Sequence, residues 1–408
     1  MIEAPPAERK SSRQKVLLVL VGLLAGYALA ELLANVYDLA FPPEHKFYWV
    51  YEDASRTVQF DPILGYRLTK VPSRVAAISR GRVDFLGLLR GNSHGFESRF
   101  DFGPERDSPG AQRIAILGDS FSNGAEMDWN WPDRVQQAAI ERHEPIELLN
   151  ISMGGWGLAN WSNAVTRFLE PQNYQLDGLV FAVWHSDLVR PFRFSDYTGL
   201  DRVAGGHALS WDPATYPRTA EEARPLQVLS DFAYIVSREQ FDQALRGEWT
   251  PPAHRRFRLY LASAVTARLE RWLRQRRNSM PSPGPVGFDP GREKAIRDIR
   301  RYVDERHIPV MVVYVPSIDV LLGERRAGRP FEETKLFAEE LGGVFVDGSQ
   351  AFANMTPAQL QENWRTFDYH WNQAGSDHFA EFMHKILTDW LASRADRASD
   401  SRTSLPQR

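Results

Sequence analysis

The chain has no cysteine, which excludes disulfide cross-links, a thiolate nucleophile and cysteine-ligated metal while fitting any compartment. It also lacks an excess of either charge. Lys and Arg number 49 against 52 Asp and Glu, interspersed, for a formal net charge of -3, so no long-range field recruits nucleic acid. Neither G-x-G-x-x-G nor a P-loop lysine follows the first apolar run of the main domain, which disfavours a dinucleotide- or phosphate-binding protein. Long apolar runs are scarce as well. The uncharged stretch "VLLVLVGLLAGYALA", Val16 to Ala30, would cover about 22 Å as a helix, short of the roughly 30 Å hydrocarbon core.

What is present is a composition 43% hydrophobic and 12% aromatic over 408 residues, enough to bury one large core or two ordinary ones. Arg9, Lys10, Arg13 and Lys15 form a basic segment over 1–15 that leads into the apolar stretch. Two readings follow. One is a secretory signal peptide with Ala28-Leu29-Ala30 at the cleavage site. The other continues the helix through "ELLANVYDLAF" to Phe41, before Pro42 and Pro43, as a transmembrane signal anchor over 16–41. Glu31, Asn35 and Asp38 would then share one helical face. Either reading exports the rest of the chain, because the positive residues stay inside.

Residues 44–110 read as an irregular collar, with "FDPILGYRLTKVP" and "GNSHGF" supplying turns. From Arg113 the pattern changes. "RIAILG", "IELLNI", "GLVFAVW", "IPVMVVYV" and "GVFVDG" alternate with helical stretches around 132–143 and 161–169. Strands apolar on both faces and alternating with helices predict an α/β, three-layered domain over 111–392 with about five parallel strands. An insertion of about 190–292 interrupts it, too long for a crossover loop. It holds the amphipathic "FRLYLASAVTARLERWLRQRR", read as packed on its own domain with a lid or membrane-surface role as the rival, and the Pro/Gly/Ser-rich "NSMPSPGPVGFDPG". Residues 393–408 have the composition of a disordered tail.

Ligands of an open parallel sheet gather beyond the carboxyl ends of its strands. There stand "ILGDSFSNG", "NISMGGWG" and "WHSDL", and "DYHWNQAG" precedes a terminal helix. Gly118-Asp119-Ser120 is an ordinary strand-to-helix turn or a presented nucleophile. A neutral serine needs a base to take its proton and a partner that orients the base; His370 with Asp368 could supply both. A tetrahedral oxyanion needs fixed donors. The Gly155 N–H suits that task, though a glycine there also suits a tight turn, and the Ser120 N–H at a helix N-terminus would be a second donor. Trp129, Trp131, Trp156 and Trp161 flank these stretches as packing residues or as a sugar-stacking rim.

At this point the residues resemble the SGNH (GDSL-type) hydrolases. "ILGDSFSNG" is similar to the first family block, "NISMGGWG" to the second and "DYHWNQAG" to the last, in the family's order, over about Arg113 to Leu391 without the insertion. The resemblance implies a flavodoxin-like αβα domain, Ser120 as nucleophile, His370 and Asp368 as its triad partners, and Ser120 and Gly155 as oxyanion donors. Asn123, Trp156 and Asn160 would face substrate, and no metal or cofactor is implied. The third block departs from the pattern: Ser186 stands in "WHSDL" where the family has its oxyanion asparagine. Ser186, or His185, could substitute; otherwise the enzyme is slow, or the fold binds without turnover.

"FDPILGYRL", "GNSHGF" and the single apolar segment resemble a membrane-anchored bacterial branch whose members act on O-acyl groups of envelope glycans or lipids, or have no assigned substrate. The expectation is therefore a serine esterase, possible O-acetyl groups included, held to the membrane through 16–41 with its domain on the periplasmic side. The alternatives are an O-acyltransferase with the same triad, or a non-catalytic envelope-assembly or glycan-binding protein.

Overall fold

The structure is a computed structural model that describes residues 12–40, 47–124, 127–208, 210–252, 290–365 and 370–403. The chain divides into two compact units, Met1–Lys46 with Pro251–Gly287, and Phe47–Thr250 with Phe288–Arg408. In the first unit Ser12–Ala40 is helical. Its side chains are described without a break from Leu17 to Leu33, about 25 Å of helix, with Leu17, Leu23 and Leu24 exposed. No helix among the described residues is long and apolar enough to cross a membrane. The span expected over 16–41 is thus not found among the described residues. The amphipathic segment expected at 257–277 lies outside the described residues, as does nearly all of the Pro/Gly/Ser-rich connection behind it.

Among its described residues the second unit holds thirteen strands. Five come from the collar: β1 (Phe47–Glu52), β2 (Val58–Asp61), β3 (Gly65–Leu68), β4 (Ser73–Ser79) and β5 (Arg82–Leu89). Then follow β6 (Gln112–Leu117), β7 (Ile146–Asn150), β8 (Gly178–Trp184), β9 (Arg193–Phe194), β10 (Arg202–His207), β11 (Val228–Val236), β12 (Val310–Val315) and β13 (Val344–Asp347).

The five expected apolar runs form one sheet of order β13-β12-β8-β6-β7, parallel throughout. In chain order this is 2-1-3-4-5, the flavodoxin-like winding, whose order reverses between β6 and β8. Alternate side chains serve two cores because successive strand residues point to opposite faces. Ile114 and Ile116 pack with Trp131, Phe379 and Met383 from the helices Trp131–Glu141 and Gln373–Thr403. Ala115 and Leu117 pack with Trp161, Tyr302 and Phe337 from Leu158–Asn163, Pro290–Arg306 and Gly328–Glu340. The terminal helix continues to Thr403, so the tail expected to be disordered from residue 393 is helical as far as it is described.

The collar is not irregular. β1, β4 and β5 join β9, β10 and β11 of the insertion in a six-stranded mixed sheet, order β5-β4-β1-β11-β10-β9. β1 pairs in parallel with β11, Trp49 opposite Ala233, and both faces carry apolar clusters, one completed by Phe241 of the helix Arg238–Leu245. β2 and β3 form a separate hairpin.

Candidate active site

The reversal in strand order leaves an opening beyond Leu117 of β6 and Trp184 of β8. The chain leaves β6 through Gly118, where a Cβ would come within 2.4 Å of Ser122 Oγ. Only glycine permits that turn. Asp119 then caps the four-residue helix Ser120–Asn123, its carboxylate accepting the Phe121 N–H at 3.0 Å. Ser122 and Asn123 donate to the Asp119 carbonyl, and the Ser120 N–H, as the first of the helix, needs no intrahelical acceptor. Gly124 closes the turn at φ +62°.

Ser120 Oγ lies 2.8 Å from His370 Nε2, within hydrogen-bond reach for proton transfer. The imidazole is held by packing. Its ring stacks on Phe121 at 4.7 Å, and Phe121 in turn stacks on Trp184 at 5.4 Å and meets the edge of Trp371 at 4.9 Å. On the backbone side the His370 carbonyl accepts the Arg365 N–H at 2.9 Å. Asp368 lies outside the described residues.

The second wall is the turn Gly154-Gly155-Trp156 after β7. Gly155 has φ +74°, a conformation that favours glycine. The turn is braced at both ends. Tyr66 of β3 donates its hydroxyl to the Gly154 carbonyl at 2.7 Å, and Arg190 Nη1 donates to the Trp156 carbonyl at 2.9 Å. In a trans peptide the carbonyl and the following N–H point in opposite directions. Fixing the Gly154 oxygen therefore aims the Gly155 N–H away from Tyr66. Burial, then Tyr197, raises the Tyr66 phenol well above the ordinary tyrosine range, so it remains a donor.

The third wall follows β8. The Asp187 carboxylate accepts the Trp184 N–H at 2.8 Å and meets Arg190 Nη1 at 2.8 Å. The same Nη1 lies 3.3 Å from Asp119 Oδ2, and Arg190 Nε donates to Ser186 Oγ at 3.3 Å. One guanidinium thus ties the turn at Ser120, the glycine turn and the block around Ser186. Burial first, then the Asp119 charge, raises Asp187 well above the usual carboxylate range, with Arg190 opposing.

The residues read from sequence divide clearly. Ser120 and His370 meet; Ser186 and the turn that carries Gly155 are tied to the turn at Ser120 through Arg190. The His185 Nε2 is 2.7 Å from Arg325 Nη2, which engages the imidazole there, and burial followed by the Arg325 charge lowers it below the ordinary histidine range. Asn123, Trp156 and Asn160 are buried and do not line the opening. Asn123 Nδ2 donates to Glu97 Oε2 at 3.0 Å. Trp156 packs edge-on to Phe96. Asn160 spends its amide on backbone, donating to the Leu64 and Arg193 carbonyls and accepting the Arg193 N–H; with Asn163, which donates to the Ile63 carbonyl, it sews the β2–β3 hairpin tip to the helix Leu158–Asn163. Trp131 and Trp161 are buried, and the Trp129 ring is met by the Arg99 and Arg134 guanidiniums at 4.2 and 5.2 Å. Sequence reasoning missed Tyr66, Arg190 and Arg193. The one available signal was Tyr66 within the noted "FDPILGYRL".

No family model and no curated protein matches the chain. Among solved structures it is similar to the psychrotrophic esterase EstA from Pseudoalteromonas sp., at 11% identity over 69% of this chain and 99% of that one, TM-score 0.35. It is similar also to an acetyl xylan esterase, AlAXEase, at 12% identity over 67% and 98%, TM-score 0.36. A lipolytic protein of the G-D-S-L family from Veillonella parvula matches at 10% identity over 68% and 99%, TM-score 0.32. At such scores these likenesses carry no weight, and the function rests on the chain's own residues.

Proposed function

We propose that this chain is a serine-dependent esterase that cleaves O-acyl groups through an acyl-enzyme. The observation that carries the reading is the 2.8 Å approach of Ser120 Oγ to His370 Nε2 across 250 residues of sequence. In this mechanism Oγ attacks the acyl carbon as Nε2 takes its proton, and the carbonyl electron pair moves onto oxygen. The Ser120 and Gly155 N–H groups receive that oxyanion. Collapse breaks the ester bond, and the leaving alcohol takes its proton from His370. Water, deprotonated by the same imidazole, then releases the acid. Asp368, two residues before His370, is assigned the orienting carboxylate. Ser186 supplies the third donor: its oxygen accepts from Arg190 Nε, which leaves the hydroxyl proton for the oxyanion.

The substrate we assign is an O-acyl, in particular O-acetyl, group on an envelope glycan or lipid. Transfer to a sugar hydroxyl would use the same residues with an alcohol in place of water. A fluorophosphonate probe tests the reading: wild type is expected to label, Ser120→Ala not at all, and His370→Ala roughly 10²- to 10⁴-fold more slowly. Absence of labelling in folded wild type would overturn it in favour of a scaffold that binds without turnover.

We further propose that residues 16–41, behind the basic segment, anchor the chain and put the catalytic unit on the periplasmic side. The full chain is then expected to stay with membranes through alkaline carbonate washing and to be released when residues 1–46 are removed. Quantitative recovery of the full chain in the soluble fraction would refute the anchor.

A further inference from the structure

Arg193 lies against the oxyanion glycine. A Cβ on Gly155 would stand 2.7 Å from Arg193 Nη1, 2.9 Å from Cζ and 3.0 Å from Nε, so the guanidinium covers that residue's Cα. Its position is set by backbone rather than by its charge. Arg193 donates its N–H to Asn160 Oδ1 and accepts from Asn160 Nδ2, both at 2.9 Å, and it pairs with His207 across β9 and β10.

The guanidinium itself has no hydrogen bond or ion pair among the described residues. Asp119, the carboxylate whose charge reaches Arg193, is engaged by Arg190, as is Asp187, and Glu97 accepts from Asn123. The other neighbours, Tyr66, Tyr197 and Arg190, bring no negative charge, and His207 is held below the ordinary histidine range by burial, then by Arg193 and Arg190. Burial likewise pulls Arg193 below the usual arginine range. Arg193 is half-buried, so its guanidinium lacks an acceptor among the described residues yet keeps access to solvent. Gly154, Gly155 and Ser120 beside it remain partly exposed, so the acceptor can come from solution.

We propose that Arg193 recognises a negatively charged group on the ester substrate, a carboxylate or phosphate close to the scissile acyl group. This rests on the esterase reading of Ser120. Planar fork geometry suits either anion. Arg193 then selects acidic esters as a specificity residue, and the Gly155 N–H and the guanidinium address two different oxygens of one substrate.

The test separates the anion site from catalysis. In the Ser120→Ala full chain, which cannot form an acyl-enzyme, calorimetric titration compares 3-acetoxybenzoate with neutral 3-acetoxybenzamide, and monosuccinyl with propionyl esters of methyl glucoside, placing the charge on either side of the ester. At least one acid is expected to bind roughly ten- to a hundredfold tighter than its neutral counterpart. That ratio should collapse towards one in Ser120→Ala/Arg193→Gln and partly return in Ser120→Ala/Arg193→Lys. 3-Acetoxyphenyl phosphate, run in parallel, tells a phosphate from a carboxylate. Equal affinities in both pairs, or a preference that survives Arg193→Gln, would overturn the proposal. Selective binding of an acid by a wild type that neither labels nor hydrolyses would instead sink the esterase reading and leave the anion site standing.

Discussion

Tyr66 acts on a donor that it does not touch. Its hydroxyl holds the Gly154 carbonyl at 2.7 Å, and peptide planarity turns that into an aim for the Gly155 N–H. Tyr66→Phe keeps the ring and its packing but releases the carbonyl. A buried neutral hydrogen bond contributes about 1 kcal/mol net, so the melting temperature should drop by only a few degrees. Catalysis should suffer more. Losing an oxyanion donor outright costs about 10²- to 10³-fold, and a donor merely loosened is expected to cost about tenfold in kcat with KM little changed. Steady-state kinetics on an aryl acetate beside a thermal melt checks this: equal kcat with a lowered melting temperature would make Tyr66 purely structural.

The elements differ in how far their sequence announced them. β6, β7, β8, β12 and β13 are buried within a parallel sheet, so each is an apolar run complete within itself and readable without its partners. The strands of the mixed sheet are not. β11, "VLSDFAYIV", is exposed at Val228 and Phe232 and buried at Ala233 and Tyr234, a pattern with neither strand nor helix period, and its parallel partner β1 lies across most of the second unit's sequence. The site divides along the same line. Ser120 and Gly155 follow apolar runs, and His370 sits in a motif of its own, so local reading finds them. Asn160 and Trp156 stand beside such a motif and look available, yet the docked β2–β3 hairpin and β9 consume the one and packing against Phe96 buries the other. Tyr66, Arg190 and Arg193 acquire their tasks only when collar and insertion fold onto the turn after β7.

Across the second unit, the collar is part of the αβα core rather than an attachment to it. Leu64, Tyr66, Leu68, Leu89, Phe96 and Phe102 belong to the same buried cluster as Leu117 and Phe181. Arg113 of β6, fully buried, pairs with Glu147 of β7 and donates to the carbonyls of Gly103, Pro104 and Glu105. Six buried apolar side chains at about 1.5 to 3 kcal/mol each amount to roughly 10 kcal/mol or more, comparable with the whole stability of a typical domain at about 5 to 15 kcal/mol. Residues 111–408 expressed alone are therefore expected to lack fixed packing: weak near-ultraviolet circular dichroism, aggregation, and no fluorophosphonate labelling at Ser120. Residues 47–408 should keep all three properties of the native unit, because both sheets and the Tyr66 brace remain. A soluble, well-packed 111–408 chain that still labels would mean that the αβα layers stand without the collar. Arg113 would then have to satisfy its donors from water, and Tyr66 would lose its place in the mechanism.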